Sequence, residues 1–376
     1  MTTIAEARVA GNGPLQMSDA KPFDHPVHFT DLDGLRGILA LSVVLLHYGI
    51  NAAVQRVSHG HLAGFTFQLS VDFFFILSGF VLAYSMRDGR FSAPAFAVKR
   101  IFRLMPVHLF CLAVLLVISS VASGPLPYLG KHLPTSTVLA DLVLATPIIW
   151  PGRDAINVPS WSVSWELYLP ILAVILAPIL VPVARRFGLV IVLLGCCALS
   201  FTAVGVAQGG HLYGLRAFLG LSTGGCLYGV AVVRSAQLRG ATTGVLYALI
   251  AGMLVVMLAS GTVPYVAALF PWLAVFTVLC GTRTRSLLSS RPIAWLGDVS
   301  YTLYMVHIPV FVGVALLVGA RLSGSIPLKG AAILLALLGA HLLTRWVERP
   351  AMALGRRLRR PPAAPKADAL VAASLD

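Results

Sequence analysis

The chain has 376 residues, 58% of them hydrophobic and only 11% charged, and its mean hydropathy is +0.86. These values exclude a soluble globular domain and define a polytopic membrane protein, expected to be all-α. The net charge of +14 would suit a nucleic-acid partner, but the basic residues form no continuous patch and sit at the ends of apolar segments, so no nucleic acid is expected.

Residues 1–30 are polar and lack a short apolar core followed by a small-residue cleavage site, so they read as a tail that stays in the cytosol. Ten apolar segments long enough to span a bilayer follow, at about 35–53, 65–86, 101–121, 162–184, 187–206, 212–233, 242–260, 262–281, 294–319 and 326–347. The stretch from Ala140 to Trp150 is too short and is interrupted by Pro147, so it reads as a re-entrant or interfacial piece. With the N-terminus inside, only Arg56, Lys131, Arg153, Arg216, Arg321 and Lys329 fall on the outer side, and the other 22 of the 28 Lys and Arg fall inside. That bias places both termini in the cytosol. The chain thus divides into a tail (1–30), a transmembrane domain (31–355) and a basic tail (356–376) expected to lie near anionic headgroups. Cys111, Cys196, Cys197, Cys226 and Cys280 all lie in apolar runs with no metal-ligand spacing, and no metal is expected.

The first segment, DLDGLRGILALSVVLLHY, carries Arg36 and His47 eleven residues apart. On an α-helix that is about 16 Å of rise and about 20° of residual rotation, so the two share a face. An imidazole at that depth marks either a packing hydrogen bond between helices or a functional cavity. Depth along the rise brings Asp72 of LSVDFFFILSGF, Glu166 of PSWSVSWELYLP, Arg216 and His307 to a similar outer-half level. Five such groups at one level favour a polar cavity, with His47 as a general base and Asp72 or Glu166 orienting the ring. In GDVSYTLYMVHIP, Ser300, Tyr304 and His307 form one helical stripe.

On the cytosolic side, Lys99, Arg100 and Arg103 lie within one helical turn, where paired guanidinium groups suit phosphate recognition as well as anchoring. Ser78-Gly79, just above, allows close approach of a ligand or of another backbone. Trp161 and Trp165 flank the outer opening of the fourth segment, as an interfacial belt or as platforms for sugar rings.

In combination and order, LDGLRGILALSVVLLH, VDFFFILSGFVL, KRIFRLMP, WSVSWELYL, GDVSYTLYMVH and VERP resemble the acyltransferase 3 family of membrane O-acyltransferases, over about Phe29 to Gly355. The resemblance implies a ten-helix core in a bacterial inner membrane. It implies an acyl group, usually acetyl, taken from acyl-coenzyme A and placed on a hydroxyl of a surface or lipid-linked glycan; some members act on lipo-oligosaccharides or macrolides instead. It makes Arg36 and His47 essential, and matches the family's RxxR pair to Arg100 and Arg103. Coenzyme A would bind at Arg36, Ser78, Arg100 and Arg103, and the acceptor near Trp161, Trp165, Arg216, Tyr304 and His307. His47 would be either the base for direct attack or the carrier of the acyl group. A proton-coupled transporter is the rival from another class, disfavoured by the lack of visible internal repeats.

Overall fold

The computed structural model describes residues 30–50, 70–86, 92–121, 133–151, 153, 155–207, 212–233, 271–275, 288 and 290–358. Among these there is no strand. The expected seventh and eighth spans lie outside the described residues apart from 271–275, and the tails lie outside them up to residue 29 and from 359 onward.

The helices follow from apolar runs that satisfy their own backbone hydrogen bonds, the condition for a chain in hydrocarbon. Helix α1 (Thr30–His47) starts with Asp31 and Asp33 in its first turn, where carboxylates complement the positive helix end. It stops at Gly49, whose φ of 68° is the left-handed conformation that ends a helix. Helices α2 (Ser70–Ser85) and α3 (Ala93–Val121) follow. Two short pieces, α4 (Thr135–Leu142) and α5 (Thr146–Ile149), occupy the stretch read as too short to span.

Beyond them come α6 (Ser160–Ile175), α7 (Ala177–Ala207) and α8 (Tyr213–Val233). The boundary between the fourth and fifth segments differs from the expectation of a break near 185. The chain breaks at Leu176, and Arg185 and Arg186 lie inside α7. Pro178 explains this: at the second position of a helix its missing N–H costs nothing, so a new helix starts there. The last described stretch holds α9 (Arg291–Asp298), α10 (Ser300–Val318), α11 (Arg321–Gly324) and α12 (Ile326–Leu343). A π-helical turn (Thr344–Glu348) leads into α13 (Arg349–Leu358).

Four described stretches are long and apolar enough to cross a membrane: Ala93–Val121, Ala177–Ala203, Ser300–Val318 and Ile326–Leu358. The apolar helices α2 and α6 are shorter. Helix α10 is the centre of the packing, touching α1, α3 and α12. Every residue from Ser300 to Pro309 is buried, so this first half of the helix presents no single inward stripe but is enclosed all round, while Leu316 and Leu317 are exposed.

Helices α2 and α8 form the tightest contact. A Cβ added at Gly224 would lie 1.8 Å from the carbonyl oxygen of Ile76, and one at Gly79 would lie 2.1 Å from that of Leu221. The obstacle in each case is backbone, which cannot rotate away, so these glycines set the helix separation. Gly224→Ala is expected to destabilise the protein by at least the ~1–3 kcal/mol typical of overpacking. Gly313→Ala, whose added Cβ meets nothing within 4 Å, is expected to leave stability unchanged. Thermal unfolding in detergent, followed by intrinsic fluorescence, compares the two.

Candidate active site

Five helices meet at one cleft. Its walls are Arg36 from α1; Phe74, Phe75 and Ser78 from α2; Arg103 and Leu104 from α3; Ser162, Val163 and Glu166 from α6; and Ser300, Tyr301 and Tyr304 from α10. With its mouth it holds about 500 Å³ of empty space. Glu166 accepts from Ser78 Oγ at 3.0 Å and pairs with Arg100 Nη1 at 3.3 Å. Arg100 also donates to the Glu166 carbonyl at 3.0 Å and lies over the Phe96 ring at 5.3 Å. Arg36 is 3.6 Å from Asp33, one turn earlier on α1. Three guanidinium groups thus gather near Glu166, with Asp33 beside Arg36 as a second carboxylate.

A ladder of polar contacts climbs α10 from this cleft. Tyr301 donates to the carbonyl of Leu104. One turn on, Tyr304 and Ser162 share a hydrogen bond of 2.8 Å. Next is His307, fully buried, whose Nε2 lies 3.1 Å from His47 Nδ1 with ring centroids 5.0 Å apart. Tyr48 donates to the His307 carbonyl at 2.9 Å, and the Tyr304 ring lies 6.1 Å from that of His307. From Ser300 to His307 is about 10 Å of helix rise.

The structure therefore brings together Arg36, Ser78, Arg100, Arg103, Glu166 and Tyr304 at one level and His47 with His307 at another. It does not form the single five-group layer expected from depth. Asp72 does not orient His47: its Oδ1 receives Arg216 Nε at 2.8 Å, and both side chains are almost fully buried. The cause is helix rotation, because equal depth on two helices does not decide which neighbour each side chain faces, and Asp72 faces α8.

Glu166 also lies deeper than expected. The segment before α6 already runs inside the bundle, where Asn157 Nδ2 donates to the carbonyl of Met305 at 3.0 Å in the middle of α10. Counting α6 from the outer surface therefore misplaces Glu166 toward the outside. Trp161 stacks on Tyr213 at 4.4 Å and carries the Arg216 guanidinium at 5.5 Å from its ring centroid. Trp165 packs against α8 at Gly214. Both indoles are thus engaged by the start of α8.

Sequence reasoning missed Ser162, Tyr301, Tyr48 and Glu348. Ser162 stands one turn before Glu166 on the same face of α6, a spacing that could have found it. Glu348 is buried in the π-helical turn and accepts from Thr302 and Thr344 at 3.3 and 3.4 Å. Such turns recur at functional sites but leave no mark in hydropathy.

The helical bundle thus encloses an arginine-lined cleft below a histidine pair. The profile of the Acyltransferase domain (Acyl_transf_3) matches residues 29–345, and the chain belongs to this family. Membership in this family and the long apolar helices together suit an integral membrane protein. It is 35% identical over 146 residues to "Acyltransferase MdmB" of Streptomyces mycarofaciens, a match covering 37% of each chain. It is 35% identical over 158 residues to "Protein 2 in picA locus" of Rhizobium radiobacter, covering 38% of this chain and 78% of that one. The match thus spans little more than a third of the length of MdmB. No solved structure matches.

The Asp72–Arg216 geometry makes this pair a structural tie between α2 and α8. Arg216→Met is expected to cost about 3–5 kcal/mol, because it strands a buried carboxylate. The double substitution Asp72→Asn, Arg216→Met is expected to recover most of that loss. Unfolding midpoints of both single variants and the double variant, read as a double-mutant cycle, measure the coupling.

Proposed function

We propose that the protein transfers an acyl group, acetyl in the simplest case, from cytosolic acyl-coenzyme A to a hydroxyl of an extracytoplasmic or lipid-linked glycan. The observation that carries this reading is the cleft itself: Arg36 and Arg103 line it, Arg100 joins it through Glu166, and a polar ladder leads from there to His47. The clustered guanidinium groups suit the phosphates of coenzyme A, since charge-assisted bonds from guanidinium to phosphate are among the strongest available. In this reading the bundle has ten spans with both termini in the cytosol of a bacterium, within the inner membrane. The adenosine end of the donor stays on the cytosolic side, and the pantetheine arm runs up the cleft past Ser162 and Tyr304.

His47 then acts on the hydroxyl or carries the acyl group. In the first route it takes the hydroxyl proton while the oxygen attacks the thioester carbonyl. The C–S bond breaks, the thiolate takes the proton back from the imidazolium, and free coenzyme A leaves on the side where it entered. Glu166 has two tasks: it balances Arg100 when the cleft is empty and, with Ser78, fixes the wall against which the arm lies. Arg216 and Trp161 shape the outer end of the site by holding the start of α8.

Reconstituted in vesicles with acetyl-coenzyme A on the cytosolic face, the protein should acetylate an acceptor confined to the opposite compartment. Acetylation of acceptors on the donor's side alone would refute transfer across the membrane, and movement of substrate without acylation would mark a transporter. Arg103→Gln should weaken binding of acetyl-coenzyme A about tenfold to a hundredfold, the loss of one charge-assisted bond of ~1.5–3 kcal/mol. Equilibrium binding of the labelled donor to purified protein measures this, and unchanged affinity would return Arg103 to a topological role. His47→Ala should abolish transfer while leaving donor binding within about threefold, because the imidazole supplies proton transfer rather than donor affinity.

A further inference from the structure

We infer that His307 is a positioning residue that fixes the tautomer of His47 and receives part of its charge when it is protonated, which makes Nε2 of His47 the reacting atom. The inference rests on the reading of His47 just given, and it follows from the hydrogen-bond partners of two rings.

A carbonyl oxygen only accepts hydrogen bonds, so a ring nitrogen facing one must carry the proton. Nδ1 of His307 lies 3.3 Å from the carbonyl of Leu303, and Nδ1 of His47 lies 3.0 Å from the carbonyl of Val43. Both rings are therefore Nδ1–H tautomers when neutral. That leaves Nε2 of His307 with a lone pair, and it is this atom that meets His47 Nδ1 at 3.1 Å. The His47 Nδ1–H is thus shared between Val43 and His307, and every contact in the chain has one donor and one acceptor. The opposite assignment sets ring lone pairs against two carbonyl oxygens, and His307 is 0% exposed, so water cannot relieve the repulsion.

By elimination the lone pair of neutral His47 is on Nε2. When Nε2 takes the hydroxyl proton during attack on the thioester, the ring becomes an imidazolium whose Nδ1–H already points to a good acceptor. His307 Nε2 stabilises that charge and holds the ring, and the proton leaves Nε2 for the departing thiolate, so both rings return to their starting state. A carboxylate usually does this work. Here Asp72, the carboxylate expected from depth, is bound to Arg216, and a neutral acceptor adds no second buried charge to the pair. His307 is itself held by Tyr48, which donates to its carbonyl at 2.9 Å.

The test has two independent readouts. Nitrogen NMR of the intact protein in lipid, labelled at histidine with ¹⁵N, should show His47 with a pyrrole-type Nδ1 and a pyridine-type Nε2; its signals are assigned by their loss in His47→Ala. A protonated Nε2 on neutral His47 would overturn the inference. In kinetics, His307→Leu should lower kcat about 10- to 100-fold with KM for acetyl-coenzyme A within about threefold. His307→Gln, whose amide oxygen can accept the same N–H, should recover at least about a third of the wild-type kcat. Equal, small kcat losses in both variants, or a loss confined to KM, would overturn the role. Should His307→Leu fail to fold, the wild-type spectrum and the Gln variant decide. Full activity of His47→Ala alongside the expected tautomer would instead sink the reading of His47 as base, and is thereby told apart from failure of the hydrogen-bond chain.

Discussion

An arginine carried into an apolar bundle must find acceptors there, because the cost of an unmatched buried charge exceeds what packing returns. This chain meets the requirement in two ways. Arg216 pairs with Asp72 in a contact that is almost fully buried, which ties α2 to α8. Arg36, Arg100 and Arg103 are held more loosely: Arg36 pairs with Asp33 at 3.6 Å and Arg100 with Glu166 at 3.3 Å, and the cleft between them stays open. The first arrangement is closed off inside the helix packing, whereas the second opens onto a cleft, and that difference separates the tie that holds the bundle together from the residues that line its cavity.

The second constraint falls on α10. A helix whose first half is enclosed on all sides cannot leave the polar side chains there to water, so each must be tied to a neighbour. Thr302 is tied to Thr344 and Glu348, Tyr301 to α3, Tyr304 to α6, and His307 to α1, while the Met305 carbonyl receives Asn157. Successive turns of one helix thus contact nearly every wall of the site, and the same ties fix the spacing between the arginines and the histidine pair. This is why the polar ladder and the structural core are the same object here. A catalytic side chain on such an element needs no loop to place it.

Much of this was legible in the sequence, and the parts that were not share a cause. Composition and hydropathy pointed to a helical membrane protein, and Arg36 and His47 do lie on one continuous helix, α1. The Ser300, Tyr304 and His307 spacing picked out residues that line the cleft or meet His47. What failed was inference across helices. Rise along an axis gives depth but not azimuth, so Asp72 was assigned to His47 when its helix turns it toward Arg216. Trp161 reads in the sequence as a belt residue or a platform for sugar rings, and its contacts with Tyr213 and Arg216 were not visible there. Nothing in a single sequence encodes which neighbour a face meets.

The misplaced depth of Glu166 has a different origin and points to a further dependence. Helix α6 begins inside the bundle because the segment before it folds back, and that fold is held by Asp141. Its carboxylate accepts from Thr146 and from the Ile156 amide at 2.6 Å, and its carbonyl accepts from His108 of α3 at 2.6 Å. Asn157 then docks on α10, so two anchors on two different helices set where Ser160 starts. A shift of α6 by one residue would move Glu166 by 1.5 Å and about 100°, enough to part it from Arg100 and Ser78 and to break the contact between Ser162 and Tyr304. The register of the cleft is thus set by a buried carboxylate that does not line it, on a short helix that precedes α6.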